Sequence, residues 1–310
     1  MLEVDKGVRQ VTFRLPLGID HVHCWLIRSS NGGWILVDTA LGSRDPKAKW
    51  QPLLDELDAP VERIVVTHMH PDHVGGARDV AELTGAPVMQ GREDFGQCLT
   101  AWGVDRDPEV FARHWLANGV PQEEVGDVVG ASAMLREAVH YHPEPELLEA
   151  GDEVDGWRVE ILRGHADGHI VLLKDGVMVA GDTILGQITP VIGLYPNSRP
   201  DPLGDYFETL RRIEELDLRV AYPGHGPVLD DPAARARAIR GHHHERLQAT
   251  EAALGPEPVD AYLVSLQLFP GELANGQRRF AVAETLAHLE RLVFDGRVSR
   301  VDGARYVLAA

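Results

Sequence analysis

The chain has 310 residues, 44% of them hydrophobic, enough to build one large domain with a smaller companion. A formal net charge of −18 sets up a field that repels phosphate-rich polymers and argues against a nucleic-acid substrate. Two cysteines without metal or redox spacing could form one bridge but do not suggest a disulfide framework, and they read as buried thiols. The first ten residues lack an apolar signal core, and no stretch reaches membrane-spanning length, so the expectation is a cytoplasmic protein without a membrane segment.

In chain order, residues 8–15, 21–27 and 33–37 read as strands, with a turn at 30–33. His21 and His23 begin the second of these and read as rim or packing residues. Residues 46–57 are helical by spacing, with Trp50, Leu53, Leu54 and Leu57 on one face. The apolar run 63–66 is a buried strand leading into Thr67-His68-Met69-His70-Pro71-Asp72-His73. Pro71 ends the strand, and Gly75-Gly76 opens a helix over 77–83. His68 and His70 point the same way from an extended backbone. Asp72 and His73 come after the turn and face a second point, a layout for two metal ions side by side.

Further ligand-type residues follow the same rule of short apolar strand, glycine, then donor: Gly164-His165, Gly181-Asp182 and Gly224-His225. Five histidines and two aspartates on strand-end loops suit a borderline divalent cation such as zinc, with iron or manganese as alternatives. Between His73 and His165 the aromatic-bearing stretches 95–117 and 122–138 read as helices of an inserted cap beside the metal loops. After Asp182 the turn-rich residues 188–197 form a loop, in which Tyr195 and Asn197 are candidate substrate contacts. Residues 202–216 form a helix, and Asp230 or Asp231 caps another that runs to about 253. Within that helix His242, His243 and His244 point three ways and read as surface and packing. The tail, with helices over 259–268 and 280–294 and a hairpin over 296–308, resembles a small winged-helix fold. From residue 251 onward eight acids outnumber six arginines, and there is no lysine, so the tail reads as structural, packing on the catalytic domain or on a second copy in a homodimer.

The motifs His68-x-His70-x-Asp72-His73, Gly164-His165, Gly181-Asp182 and Gly224-His225, together with Asp38 after an apolar run, resemble the metallo-β-lactamase-fold superfamily of hydrolases over residues 8–228. The resemblance implies an α+β four-layer αβ/βα sandwich: a catalytic domain over residues 1–228 with a helical insertion at about 92–150, a connecting helix at 229–254 and a winged-helix-like module at 255–310. It implies one metal on His68, His70 and His165, a second on Asp72, His73 and His225, and Asp182 bridging both. Asp38 is implied as an outer partner orienting a ligand, and His169 as a hydrogen-bonding residue. Asp38, Asp72 and Asp182 form the expected catalytic carboxylate set. The expected chemistry is attack by a metal-bridging hydroxide on a small ester, thioester or lactone. A metal-dependent ribonuclease or phosphodiesterase and a mononuclear iron sulfur dioxygenase are the alternatives. The glyoxalase II-like branch fits better than a β-lactamase proper, although the tail lacks the basic array of a glutathione site.

Overall fold

The structure is a computed structural model that describes residues 1–16, 18–103, 106–273 and 275–309. Among these, two mixed sheets face each other. The first contains β1 (Leu2–Asp5), β2 (Val8–Arg14), β3 (His21–Arg28), β4 (Trp34–Val37), β5 (Val61–Val66), β6 (Val88–Gly91) and β7 (Glu146–Leu148), side by side in that order. Pairing is antiparallel from β1 to β4 and parallel from β4 to β7. The second contains β8 (Glu153–Val154), β9 (Trp157–Ile161), β10 (Ile170–Lys174), β11 (Val177–Gly181) and β12 (Val220–Pro223), with β12 paired parallel to β11 at one edge.

Strand alternation sorts the side chains into layers. Ile35, Val37 and Val65 of the first sheet meet Ile170, Leu172, Val177 and Val179 of the second in a central core, where the Trp25 and Tyr222 rings lie 4.8 Å apart. Their strand neighbours Trp34, Leu36, Ile64 and Val66 face outward, under α1 (Pro46–Asp55), α2 (Pro71–Val74) and α3 (Ala77–Thr84). These strands are apolar on both faces because both faces are covered. Next in the chain are α4 (Arg92–Trp102), α5 (Pro108–Ala117) and α6 (Gln122–Arg136). Outside the second sheet, Val171, Leu173, Met178 and Ala180 pack under α7 (Pro202–Glu215) and α8 (Pro232–Ala252). The expected four-layer αβ/βα sandwich is therefore present.

The helix starts follow a local rule. α1, α5, α7 and α8 each begin with Asp-Pro, the aspartate accepting a first-turn N–H and the proline occupying a position whose N–H needs no partner. Asp231, rather than Asp230, caps α8. Several expectations change. β1, β6, β7, β8 and β10 were not anticipated. The helical stretch 95–117 is divided between two helices, α4 and α5. Asp72 and His73 sit on the helical turn α2 rather than on a loop, because Pro71 starts a helix as readily as it stops a strand.

The tail holds β13 (Val259–Asp260), α9 (Ala261–Leu268), α10 (Asn275–Phe294), β14 (Val298–Val301) and β15 (Arg305–Leu308), with the strands ordered β13-β15-β14. The expected helix at 259 starts two residues later, since Asp260 caps it by accepting the Leu263 N–H. Val282, Leu286, Leu289 and Leu292 of α10 are buried in the same core as α7 and α8, so the tail packs on the main body. No helix among the described residues is long and apolar enough to cross a membrane.

Candidate metal centre

Strand ends deliver every candidate ligand to one edge of the sandwich. β5 leads into His68 and His70, and α2 carries Asp72 and His73. His165 follows β9, Asp182 follows β11, and His225 follows β12. In the first cluster the Nδ1 of His70 lies 3.0 Å from Nε2 of His68 and 2.8 Å from Nε2 of His165. In the second, ring nitrogens of His73 and His225 converge with a carboxylate oxygen of Asp72. Asp182 stands between the two. Its Oδ1 is 3.4 Å from Nε2 of His73, and its Oδ2 is 3.2 Å from Nε2 of His225 and 3.6 Å from Nε2 of His165. All seven expected ligands are thus brought together.

Hydrogen bonds behind the rings decide which nitrogens face inward. The Thr67 hydroxyl donates to Asp38, so its oxygen accepts the Nδ1–H of His68 at 3.0 Å. His73 donates its Nδ1–H to Asp38 Oδ2 at 2.8 Å. His165 donates to the Val191 carbonyl at 2.9 Å, and His225 to the His21 carbonyl at 2.6 Å. In each case the far nitrogen is directed at the cluster, where it offers a lone pair to an ion once it carries no proton. His169 serves neither cluster as a donor. Its Nε2 accepts the Asp182 N–H at 3.1 Å, its Nδ1 meets the Thr183 hydroxyl, and its ring stacks on His68. His21 borders the site, where its Nε2 accepts the Gly226 N–H at 3.0 Å, while His23 is buried with its ring against Gln10 and Thr12.

The fit to a cation can be tested on atoms that lack a partner. Nε2 of His73, Nε2 of His225 and Oδ1 of Asp182 are buried and make no hydrogen bond, an arrangement that is costly unless a cation sits among them. Burial lowers His68, and it holds His70 at about 3, so both rings are neutral donors. Burial would lower His73 and His225 too, but the aspartates win, Asp182 foremost: His73 rises well above its ordinary value and His225 to about 10. Positive charge is therefore what this pocket favours. Gly224 is required by close approach, because a Cβ there would stand 2.3 Å from Oδ1 of Asp182 and 2.6 Å from the His73 ring.

Tyr195 packs edge-on against Trp115 of α5, and burial raises its hydroxyl to about 12. Asn197 is exposed at φ 68° and lines a surface depression with Gln97, Asp167 and Arg199. Among the described contacts neither touches the seven ligands. The sequence analysis passed over Thr67, although it stands directly before His68.

The chain is similar to several known proteins. The model of the metallo-beta-lactamase superfamily matches residues 17–225, and that of a metallo-beta-lactamase-like C-terminal domain matches 247–309. The "Probable metallo-hydrolase YqjP" of Bacillus subtilis (strain 168) is 26% identical over 296 residues, covering 89% of each chain. An "Atrochrysone carboxyl ACP thioesterase" of Aspergillus fumigatus is 24% identical over 209 residues, which are 64% of this chain and 48% of that protein. The crystal structure of a metallo-beta-lactamase family protein from Thermus thermophilus superposes with a TM-score of 0.86 at 36% identity, covering 99% of this chain and 100% of that one.

Proposed function

Since this chain belongs to the metallo-beta-lactamase superfamily and is a metal-dependent hydrolase, we propose that it holds two divalent ions, zinc by its donor set, and hydrolyses a small carboxylic ester, thioester or lactone. Ions bound there supply Lewis acidity and a water activated at neutral pH. The chain's own residues do the rest. His68, His70 and His165 would hold one ion, and Asp72, His73 and His225 would hold the other. The placement of Oδ1 and Oδ2 of Asp182 towards different rings supports a bridging role. Asp38, Thr67 and the carbonyls of Val191 and His21 keep the ring protons on the outward nitrogens.

Several features support a small carbonyl substrate. Cys24 and Cys98 are fully buried and burial pushes both thiols up, so neither supplies a nucleophile; free buried thiols also fit a reducing cytoplasm. The name of the Aspergillus relative includes a thioesterase activity, although this chain spans about half of that protein. The tail's strand and helix order fits a winged helix with a structural role. Four of its arginines are already paired, Arg291 with Asp201, Arg297 with Glu251, Arg300 with Glu290 and Arg305 with Asp302, which leaves little charge for a phosphate backbone.

The three unpartnered buried atoms of His73, His225 and Asp182 carry this reading. Its test is metal quantification on the purified chain joined to a panel of a generic thioester, a lactone, an aryl ester and single-stranded RNA. Two equivalents of metal with turnover of a carbonyl substrate are expected. A single iron with oxygen consumption, or cleavage of RNA alone, would overturn it.

A further inference from the structure

Helix α4 falls in the stretch expected to form a cap, yet two of its residues grip the backbone of the metal loop. The Met69 N–H donates to Asp94 Oδ1 at 2.9 Å, and the Trp102 indole N–H donates to the Met69 carbonyl at 2.8 Å. Met69 separates His68 from His70, so both polar groups of the residue between two ligands are tied to one helix. The second oxygen of Asp94 accepts from Gln90 Nε2 at 2.6 Å. The same residue also backs the loop that delivers His165. Gly168 packs so tightly on it that a Cβ there would stand 2.2 Å from the Asp94 nitrogen. α4 thus touches both segments that supply His68, His70 and His165.

Asp94 is completely buried, and its described hydrogen-bond partners are two neutral amides. A carboxyl sunk in the core without a cation beside it costs stability that an apolar residue would not. In return, the geometry of the peptide between two ligands is held. We infer that Asp94, assisted by Trp102, is a positioning residue for the three-histidine cluster, setting the nitrogen separations before any ion arrives. The inference rests on the metal-binding reading above. Partners behind the ligands of a metal site change affinity by about 10- to 100-fold when removed.

The test uses the full chain as Asp94→Leu, Asp94→Asn and Trp102→Phe. Zinc affinity is read for each equivalent by competition with a chromophoric chelator. Amide exchange of the Met69 segment is read in metal-free protein. Asp94→Leu and Trp102→Phe are expected to weaken one zinc equivalent by about tenfold or more and to deprotect the Met69 segment. Asp94→Asn should stay near the unaltered chain, because Asn keeps an acceptor for Met69 and the Gln90 amide, turned over, presents its otherwise unpartnered Oε1 to the new Asn NH2 in place of Nε2. Trp102→Phe keeps an aromatic side chain while removing the indole donor, so it carries the test if Asp94→Leu does not fold. Unchanged affinity and exchange in Trp102→Phe, or in a folded Asp94→Leu, overturns the inference. If the unaltered chain binds no zinc, the proposed function falls, and loss of Met69 protection in the variants would still support the clamp.

Discussion

The Nδ1–H of His73 donates to Oδ2 of Asp38 across 2.8 Å, deep in the interior where both side chains are shut off from solvent. The same carboxylate accepts the N–H and hydroxyl of Thr67, and that hydroxyl in turn receives His68. One group therefore steadies a ring in each of the two donor clusters. Asp38 sits at φ 63°, a left-handed conformation that aspartate tolerates better than most residues. Its bonds to Thr67 and His73 hold it there.

Asp38→Ala should consequently loosen both clusters. Metal affinity is expected to fall about 10- to 100-fold for at least one equivalent, read by competitive chelator titration, while the far-ultraviolet spectrum stays native. Unaltered affinity for both equivalents would show that the carboxylate does not support the site.

Asp182→Ala removes the carboxylate that faces His73 with one oxygen and His165 and His225 with the other. We expect loss of one metal equivalent and a fall in turnover of at least about a hundredfold, measured by elemental analysis and by initial rates on the best substrate of the panel. Intact stoichiometry with intact turnover would remove the bridging assignment.

Exhaustive chelation should abolish hydrolysis and lower the melting temperature, because ions that bind only the folded chain stabilise it by mass action. The contribution is about 2.7 kcal/mol at a free concentration a hundred times Kd. Calorimetry before and after metal readdition measures it, and full activity after chelation would contradict the mechanism.

Away from the metals, burial on α10 pushes Glu284 up to about 7, against the nearby Arg246. Its folded value is raised, so the folded chain holds a proton that the unfolded chain releases. The associated stability is present below about pH 4.5 and is lost as pH rises towards 7, at up to about 1.4 kcal/mol per unit. Urea titrations across that window should show a shallower decline for Glu284→Gln. Equal slopes for both chains would argue that Glu284 is ionised in the fold.

The Tyr306 hydroxyl donates to the buried Glu290 at 2.6 Å and fastens β15 to α10. Tyr306→Phe leaves a buried carboxylate oxygen without its donor and should cost about 1–3 kcal/mol in urea unfolding. A change near zero would mean that Arg300 or water replaces the lost bond.

The candidate donors that converge were legible because metal chemistry concentrates unusual residues at recognisable places. His68, His70, Asp72 and His73 crowd one strand end, and His165, Asp182 and His225 each follow an apolar strand. Both signals are local. Alternation within β4, β5, β10 and β11 does not say which sheet faces which, but runs apolar on both sides correctly imply coverage on both sides. The cap was only half legible. Spacing marked its helices, yet α4 serves the metal loop while Trp115, Val120 and Val125 of the α5–α6 region join the core beneath the tail.

What the chain's order of residues determined by itself was the donor inventory and the sandwich that carries it, since both follow from residue type and short-range periodicity. Only the tertiary structure decided which groups stand behind the donors. His225 is oriented by a carbonyl 204 positions away at His21, and Met69 by a carboxylate 25 positions on at Asp94. Such pairings depend on how sheets and helices come together in space, and a buried hydrogen-bond partner is chosen by proximity after packing rather than by any pattern along the chain.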